Sequence, residues 1–155
     1  MGIFKKSKKV PAEFQKTIDL VNGYLGKFDK SIPPLGDPQV AEKLSIANTK
    51  LKYRGINVEA GVILPEGKSA DLILSAGVRL PPPGTNLLPV YQQLLLWNNF
   101  QTSEAHFSVN QQGVIFTVMR RSTEGLDYSE FEQAVIKVSE TAAMGILLLK
   151  QQFGI

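Results

Sequence analysis

The chain has 155 residues, 43% of them hydrophobic, and no composition shift that would split it, so one domain with its own buried core is expected. It contains no cysteine, which excludes a disulfide framework and a thiolate metal site and suits a cytoplasmic protein. The formal net charge of +3 is concentrated in "FKKSKK": without Lys5, Lys6, Lys8 and Lys9 the basic residues fall from 17 to 13 against 14 acidic ones, leaving a near-neutral body that advertises no nucleic-acid footprint.

Residues 1–10 read as a basic, flexible tail, because they have few apolar groups and four like charges close in sequence, and no apolar run follows that could form a signal peptide or a membrane span. Gly2 resembles an acylation site, but position 6 holds Lys6 where that pattern needs Ser or Thr. Ile3 and Phe4 beside four lysines allow a weak contact with an anionic membrane surface, at about 1 kcal/mol per basic residue. The plainer reading is a solvated tail.

From residue 11 to 155 a single α+β domain is expected. Phe14, Ile18, Val21, Leu25 and Phe28 recur at helical spacing after Pro11, which suits a first helical turn. Residues 29–43, with "DKSIPPLGDPQ" at their start, form a proline-rich loop or linker. A strand is expected over Leu44 to Arg54, with Gly55 as its break. Alternation of Val58, Ala60, Val62 and Leu64, and then of Leu72, Leu74, Ala76, Val78 and Leu80, predicts two antiparallel strands joined by "PEGKSAD".

"LPPPGTN" ends the sheet, since prolines cannot donate to a ladder, and Thr85 or Asn86 can cap a second helix over Leu87 to Asn98. Turned by about 100° per residue, Leu87, Leu88, Val90, Tyr91, Leu94, Leu95 and Trp97 cover roughly half its circumference, while Leu96 points elsewhere. No charge occurs between Arg79 and Glu104, yet Pro, Gln and Asn rule out a membrane span. Some of this helix therefore needs a cover other than its own sheet. Trp97, the single tryptophan, is either ordinary core or an interface anchor. Asn98 and Asn99 read as a helix C-terminus with one asparagine in the left-handed conformation.

Ala105, Phe107 and Val109 then alternate with Glu104, His106 and Ser108, and "NQQG" turns the chain into "VIFTVMRR", a second hairpin. Glu104 and His106 share one strand face, so a hydrolase built on that pair is one alternative; two solvated side chains are the simpler reading. No motif for a metal, a phosphate loop or a nucleophile elbow is present, so neither catalytic nor cofactor-binding residues are expected. In "GLDYSEF", Asp127 and Glu130 form a capping box, and Leu126 can staple onto Phe131. Phe131, Ala134, Val135, Val138, Ala142, Ile146, Leu149 and Phe153 make the inner face of the last helix, leaving Met144, Leu147 and Leu148 outside it.

The succession "LLPVYQQLLLWNNF", a strand, "NQQG", "VIFTVMR" and "EGLDYSEFEQAVIKVSETA" resembles the YbjN-like family and the class I type III secretion chaperones that share its fold, over roughly Leu44 to Phe153. The resemblance implies an α+β fold with helices on a twisted antiparallel sheet of about five strands, in the order α-β-β-β-α-β-β-α. It also implies homodimers and the binding of extended partner segments through hydrophobic patches. It transfers no functional residue, because the shared positions are structural.

Together these readings favour a non-enzymatic protein-interaction module, chaperone-like or regulatory, binding a partner protein and pairing with itself, with no cofactor and no small-molecule substrate. The candidate interface is Tyr91, Leu95, Leu96 and Trp97 on the second helix and Met144, Leu147 and Leu148 on the third. A nucleic-acid-binding regulator using the tail with Arg54, Arg79, Arg120 and Arg121 is the alternative.

Overall fold

The computed structural model describes residues 9–100 and 104–155; of the basic tail, all but Lys9 and Val10 lies outside the described residues. Helix α1, Ala12–Phe28, follows Pro11, which stands at the N-cap with a non-helical ψ of 139° and whose missing N–H leaves no helical hydrogen bond unmade. The 3.6-residue period puts Phe14, Ile18, Val21 and Leu25 on one face, and all four are buried.

The sheet has six strands, all antiparallel, in the order β1-β2-β3-β4-β6-β5. They are β1 (Gln39–Val40), β2 (Leu44–Tyr53), β3 (Ile56–Pro65), β4 (Asp71–Arg79), β5 (His106–Val109) and β6 (Ile115–Ser122). The sixth strand, β1, is two residues inside the stretch expected to be loop, where no period can register. Arg54 and Gly55, with φ of 46° and 84°, form the two-residue link between β2 and β3, the left-handed pair that a tight hairpin with right-twisted strands requires. The second hairpin closes at Asn110, whose carboxamide Oδ1 accepts from the N–H groups of Gln112 and Val114, while Gly113 takes the positive φ.

Period-two alternation is expressed as a buried and an open face. Ala47 and Leu51, Val58, Ala60 and Val62, Leu72, Leu74 and Ala76, and Ile115, Thr117 and Met119 all turn inward. Helix α3, Tyr128–Phe153, crosses that face over β2, β3, β4 and β6, with α1 beside it on β3. Buried Thr117 donates its hydroxyl to the Val138 carbonyl at 3.1 Å, which satisfies the one buried polar side chain of β6 and ties it to α3. The expected capping box is present: Asp127 accepts from the Glu130 N–H at 2.8 Å and Glu130 accepts from the Asp127 N–H at 3.1 Å. Tyr24 of α1 donates to the Leu126 carbonyl at 2.7 Å, fixing α1 against the start of α3.

The proline-rich stretch runs along the outer side of β2. Leu35 is buried and its N–H donates to Asn22, the Gly36 N–H donates to the Asn48 carbonyl at 2.8 Å, and Thr49 donates its hydroxyl to the Pro33 carbonyl. At the loop's start, the backbone N–H and then the hydroxyl of Ser31 hold the Asp29 carboxyl below the usual carboxylate range.

One expectation for α3 is corrected. Ile146 was placed on its inner face, yet it is 38% exposed, and Gly145 is buried there instead. The reason is a ring from another strand: a Cβ at residue 145 would lie 2.5 Å from Cε1 of Phe107, 3.0 Å from its Cζ and 3.2 Å from Cγ1 of Val78. The space under that turn is filled by Phe107, so the helix turns Gly145 toward it.

Two alanine substitutions should therefore move stability in opposite directions. Gly23 and Gly26 of α1 have nothing within 4 Å of an added Cβ, so Gly23→Ala should gain roughly 0.5–1 kcal/mol from helix propensity. Gly145→Ala, despite the same propensity gain, should lose about 1–3 kcal/mol through overpacking against Phe107. Thermal melts would show the two midpoints shifting by a few degrees to either side of the parent, about 2–4 °C per kcal/mol for a chain of this size.

Candidate interaction surface around Phe107

Helix α2, Leu87–Phe100, connects β4, inside the sheet, to β5 at its edge. Asn86 Oδ1 accepts from the Leu88 N–H at 3.4 Å, so the expected cap is a loose one. The core face of the sheet is already taken by α1 and α3, and α2 packs on β5 with Val90 and Leu94 as its buried residues. Val90 and Leu94 are one turn apart, so a single narrow stripe is covered.

Phe107 of β5 organises the surroundings. Its ring points inward, with Trp97 of α2 against it at 5.5 Å between centroids and Gly145 of α3 on another side. The two helices that grip this ring carry much of the exposed apolar surface of the described chain. On α2, Leu88, Leu95 and Leu96 are 65%, 64% and 48% exposed, and Phe100 is 83% exposed. On α3, Met144, Ile146 and Leu147 are exposed and Leu148 is half-buried. Tyr91 and Trp97 are half-buried, packed on the core with part of each ring left outside. Trp97 thus has the core role and keeps an outer edge.

Leu88, Phe100 and Ile146 are further exposed apolar residues of these two helices and were not among the candidates. Phe100 was missed because the helix was expected to stop at Asn98; it continues through Phe100, and Arg54 is the one described non-glycine residue with positive φ. Neither asparagine is a left-handed cap. Asn98 instead accepts from the Phe107 N–H at 2.8 Å and donates to the Phe107 carbonyl at 2.9 Å. A carboxamide with a strand edge in reach has two backbone partners there, and the helix needs no terminating residue at that point.

The alternative sites are dispersed. Arg120 pairs with Asp71, its Nε 2.6 Å from Oδ2, and Arg121 pairs with Glu104 at 2.7 Å and reaches Glu130 at 3.8 Å. Arg54 lies over the Tyr53 ring at the β2–β3 turn, and Arg79 ends β4. The register puts Arg79 opposite Ile115 and Asp71 opposite Ser122, so the four arginines divide between opposite ends of the sheet. Glu104 is committed to Arg121, and no hydrogen bond or ion pair joins it to exposed His106 among the described residues. No cluster of three or more His, Asp or Glu that could hold a metal occurs among the described residues, and none of their helices is long and apolar enough to cross a membrane.

The fold is secretion-chaperone-like. The chain resembles a chain in the crystal structure of the ExsC–ExsE complex, at 20% identity and a TM-score of 0.54, over 85% of this chain and 95% of that one. It also resembles a chain of the heterodimeric ExoU–SpcU complex from the type III secretion system of Pseudomonas aeruginosa, at 14% identity and a TM-score of 0.55, over 85% and 99% of the two chains. A third likeness, at 11% identity and a TM-score of 0.59 over 89% and 99%, is to an uncharacterized protein from Methanothermobacter thermautotrophicus. No family model and no curated protein matches the sequence. The helix and strand order is the expected one with β1 added.

His106→Gln checks the hydrolase alternative. As an exposed strand residue with no acidic partner among the described residues, His106 should change stability by no more than about 0.5 kcal/mol when replaced, and partner binding should persist. Loss of function in a variant with the parent's melting curve would restore the catalytic reading.

Proposed function

We propose that the protein is a non-enzymatic, chaperone-like or regulatory binding module of YbjN-like character, a single domain over residues 11–155 with a basic tail, acting in the cytoplasm. The observation that carries the reading is the uncharged run from Leu80 to Ser103, whose helix leaves Leu88, Leu95, Leu96 and Phe100 exposed, while α3, which meets the same Phe107 ring, leaves Met144 and Leu147 exposed. So many large apolar side chains left outside the core on two helices favour an association role. The likeness to chains found in two-protein complexes supports the same direction.

The proposed contact residues are Tyr91, Leu95, Leu96, Trp97, Met144, Leu147 and Leu148. A second copy of the chain is the first occupant, since twofold pairing is the commonest way for a soluble protein to cover such a face. A stable pair needs on the order of 1,200–2,000 Å² of total buried area. The aromatic edges of Tyr91 and Trp97 would supply rigid anchors within that area. A partner protein would then meet the dimer through the apolar surface that self-pairing leaves open.

Leu95→Glu tests this. Leu95 is 64% exposed in the single chain, so the charge should cost the isolated fold about 0.5 kcal/mol or less. In a dimer interface the same carboxylate would be buried without a partner and should shift the population to monomer. Light scattering at tens of micromolar should give a dimer for the parent and a monomer for the variant. A monomeric parent removes self-pairing from the proposal.

A further inference from the structure

A sheet edge is a row of unused N–H and C=O groups ready to accept another strand, and this sheet has two edges to manage. The edge at β2 is closed by β1 and by the segment through Pro33 and Gly36. That closure is anchored, because Leu35 within it is buried in the core and Gly36 approaches so closely that an added Cβ would lie 3.3 Å from the Asn48 carbonyl oxygen.

The edge at β5 is closed differently. In an antiparallel ladder, consecutive residues turn their backbone groups alternately toward the neighbouring strand and away from it. Phe107 is paired in register with Thr117 of β6, yet its N–H and C=O are both taken by Asn98, so they face outward. The same alternation turns the backbone groups of Val109 outward. A primary carboxamide presents one N–H and one C=O side by side, the pair that a residue of an added strand would offer. Asn98 therefore stands where the next strand's residue would stand.

The geometry points to Asn98 as a releasable stopper on the outer edge of the sheet: it blocks strand addition at β5 while α2 is docked, and opens that edge when the C-terminal turn of α2 lifts. What makes it releasable is the thin attachment of its helix. The buried residues of α2 are Val90 and Leu94, both N-terminal to Asn98, and past them the turn is held by the Trp97 ring on Phe107 and by the carboxamide itself. Thus an extended peptide segment competes with Asn98 for the same two backbone groups. This rests on hydrogen bonds inside one chain and is independent of what covers the leucines of α2.

The test uses backbone hydrogen exchange on the full chain, with a synthetic peptide copying Ile115–Ser122, the strand that already pairs with β5, as the probe. In the parent, the Phe107 amide should exchange in step with the last turn of α2 and faster than the Thr117 amide in the sheet interior. In Asn98→Ala, exchange at Phe107 should rise by about tenfold or more with Thr117 unchanged, and the peptide should bind the variant and not the parent. Should Asn98→Ala fail to fold, Asn98→Gln keeps the carboxamide but displaces it by one methylene and should give the same two results. A Phe107 amide that opens only with global unfolding, protection kept without the asparagine, or an exposed edge that takes no peptide would each overturn the assignment.

Discussion

The seat of Phe107 against Gly145 fixes the rim of the molecule formed by β5 and α2. Strand β5 is four residues long and pairs on one side alone, which is too little to hold an edge in place by its ladder. Its position is fixed because Phe107 drops into the one place on α3 where a missing Cβ leaves room. Dispersion contacts of a buried ring are individually small and collectively decisive, so a misfit there would release the strand and the helix that leans on it. With β5 located, Trp97 and Asn98 have a ring and a pair of backbone groups to meet, and α2 comes to rest at the rim of the sheet.

That resting place accounts for the exposed leucines. Helices α1 and α3 fill the inner face, and their apolar faces are satisfied by Phe14, Val21 and Leu25 on one and Phe131, Val135, Val138 and Leu149 on the other. At the rim a helix can bury a stripe but not half its circumference. Hence Val90 and Leu94 are inside, while Leu88, Leu95 and Leu96 are outside, and the absence of charge through this run leaves the surface apolar. The proposed association would draw on partly exposed rigid aromatics and on leucines of a helix that carries no carboxylate or ammonium to desolvate.

Charge plays a local part in the rest of the fold. Arg121 bridges Glu104, just before β5, to Glu130, which is itself half of the α3 capping box. These are exposed or part-exposed pairs, worth little individually in water. Their effect is to orient the entrance of β5 and the first turn of α3 with respect to each other, without assembling a positive surface or an acid–base site.

How much of this was legible in the sequence varied with the distance over which each feature is decided. The strands from Leu44, Ile56 and Asp71, the second hairpin and all three helices could be read because each has a period generated by residues two to four apart, and the Asp127–Glu130 cap because its partners are three apart. The surplus of apolar residues on α2 was legible for the same reason. The two residues of β1 have no period to detect, and their pairing with Ile46 and Ser45 follows only from the path of the loop. Asn98 looked like a helix terminator until β5 placed a strand edge beside it, and Ile146 looked buried until Phe107 claimed the turn at Gly145. The sequence by itself determined the elements, their inner faces and the uncharged helix. Which strand lies at the edge, which glycine receives a ring and which asparagine closes the sheet were decided by tertiary packing, because those partners meet only after strands distant in the chain have taken their order.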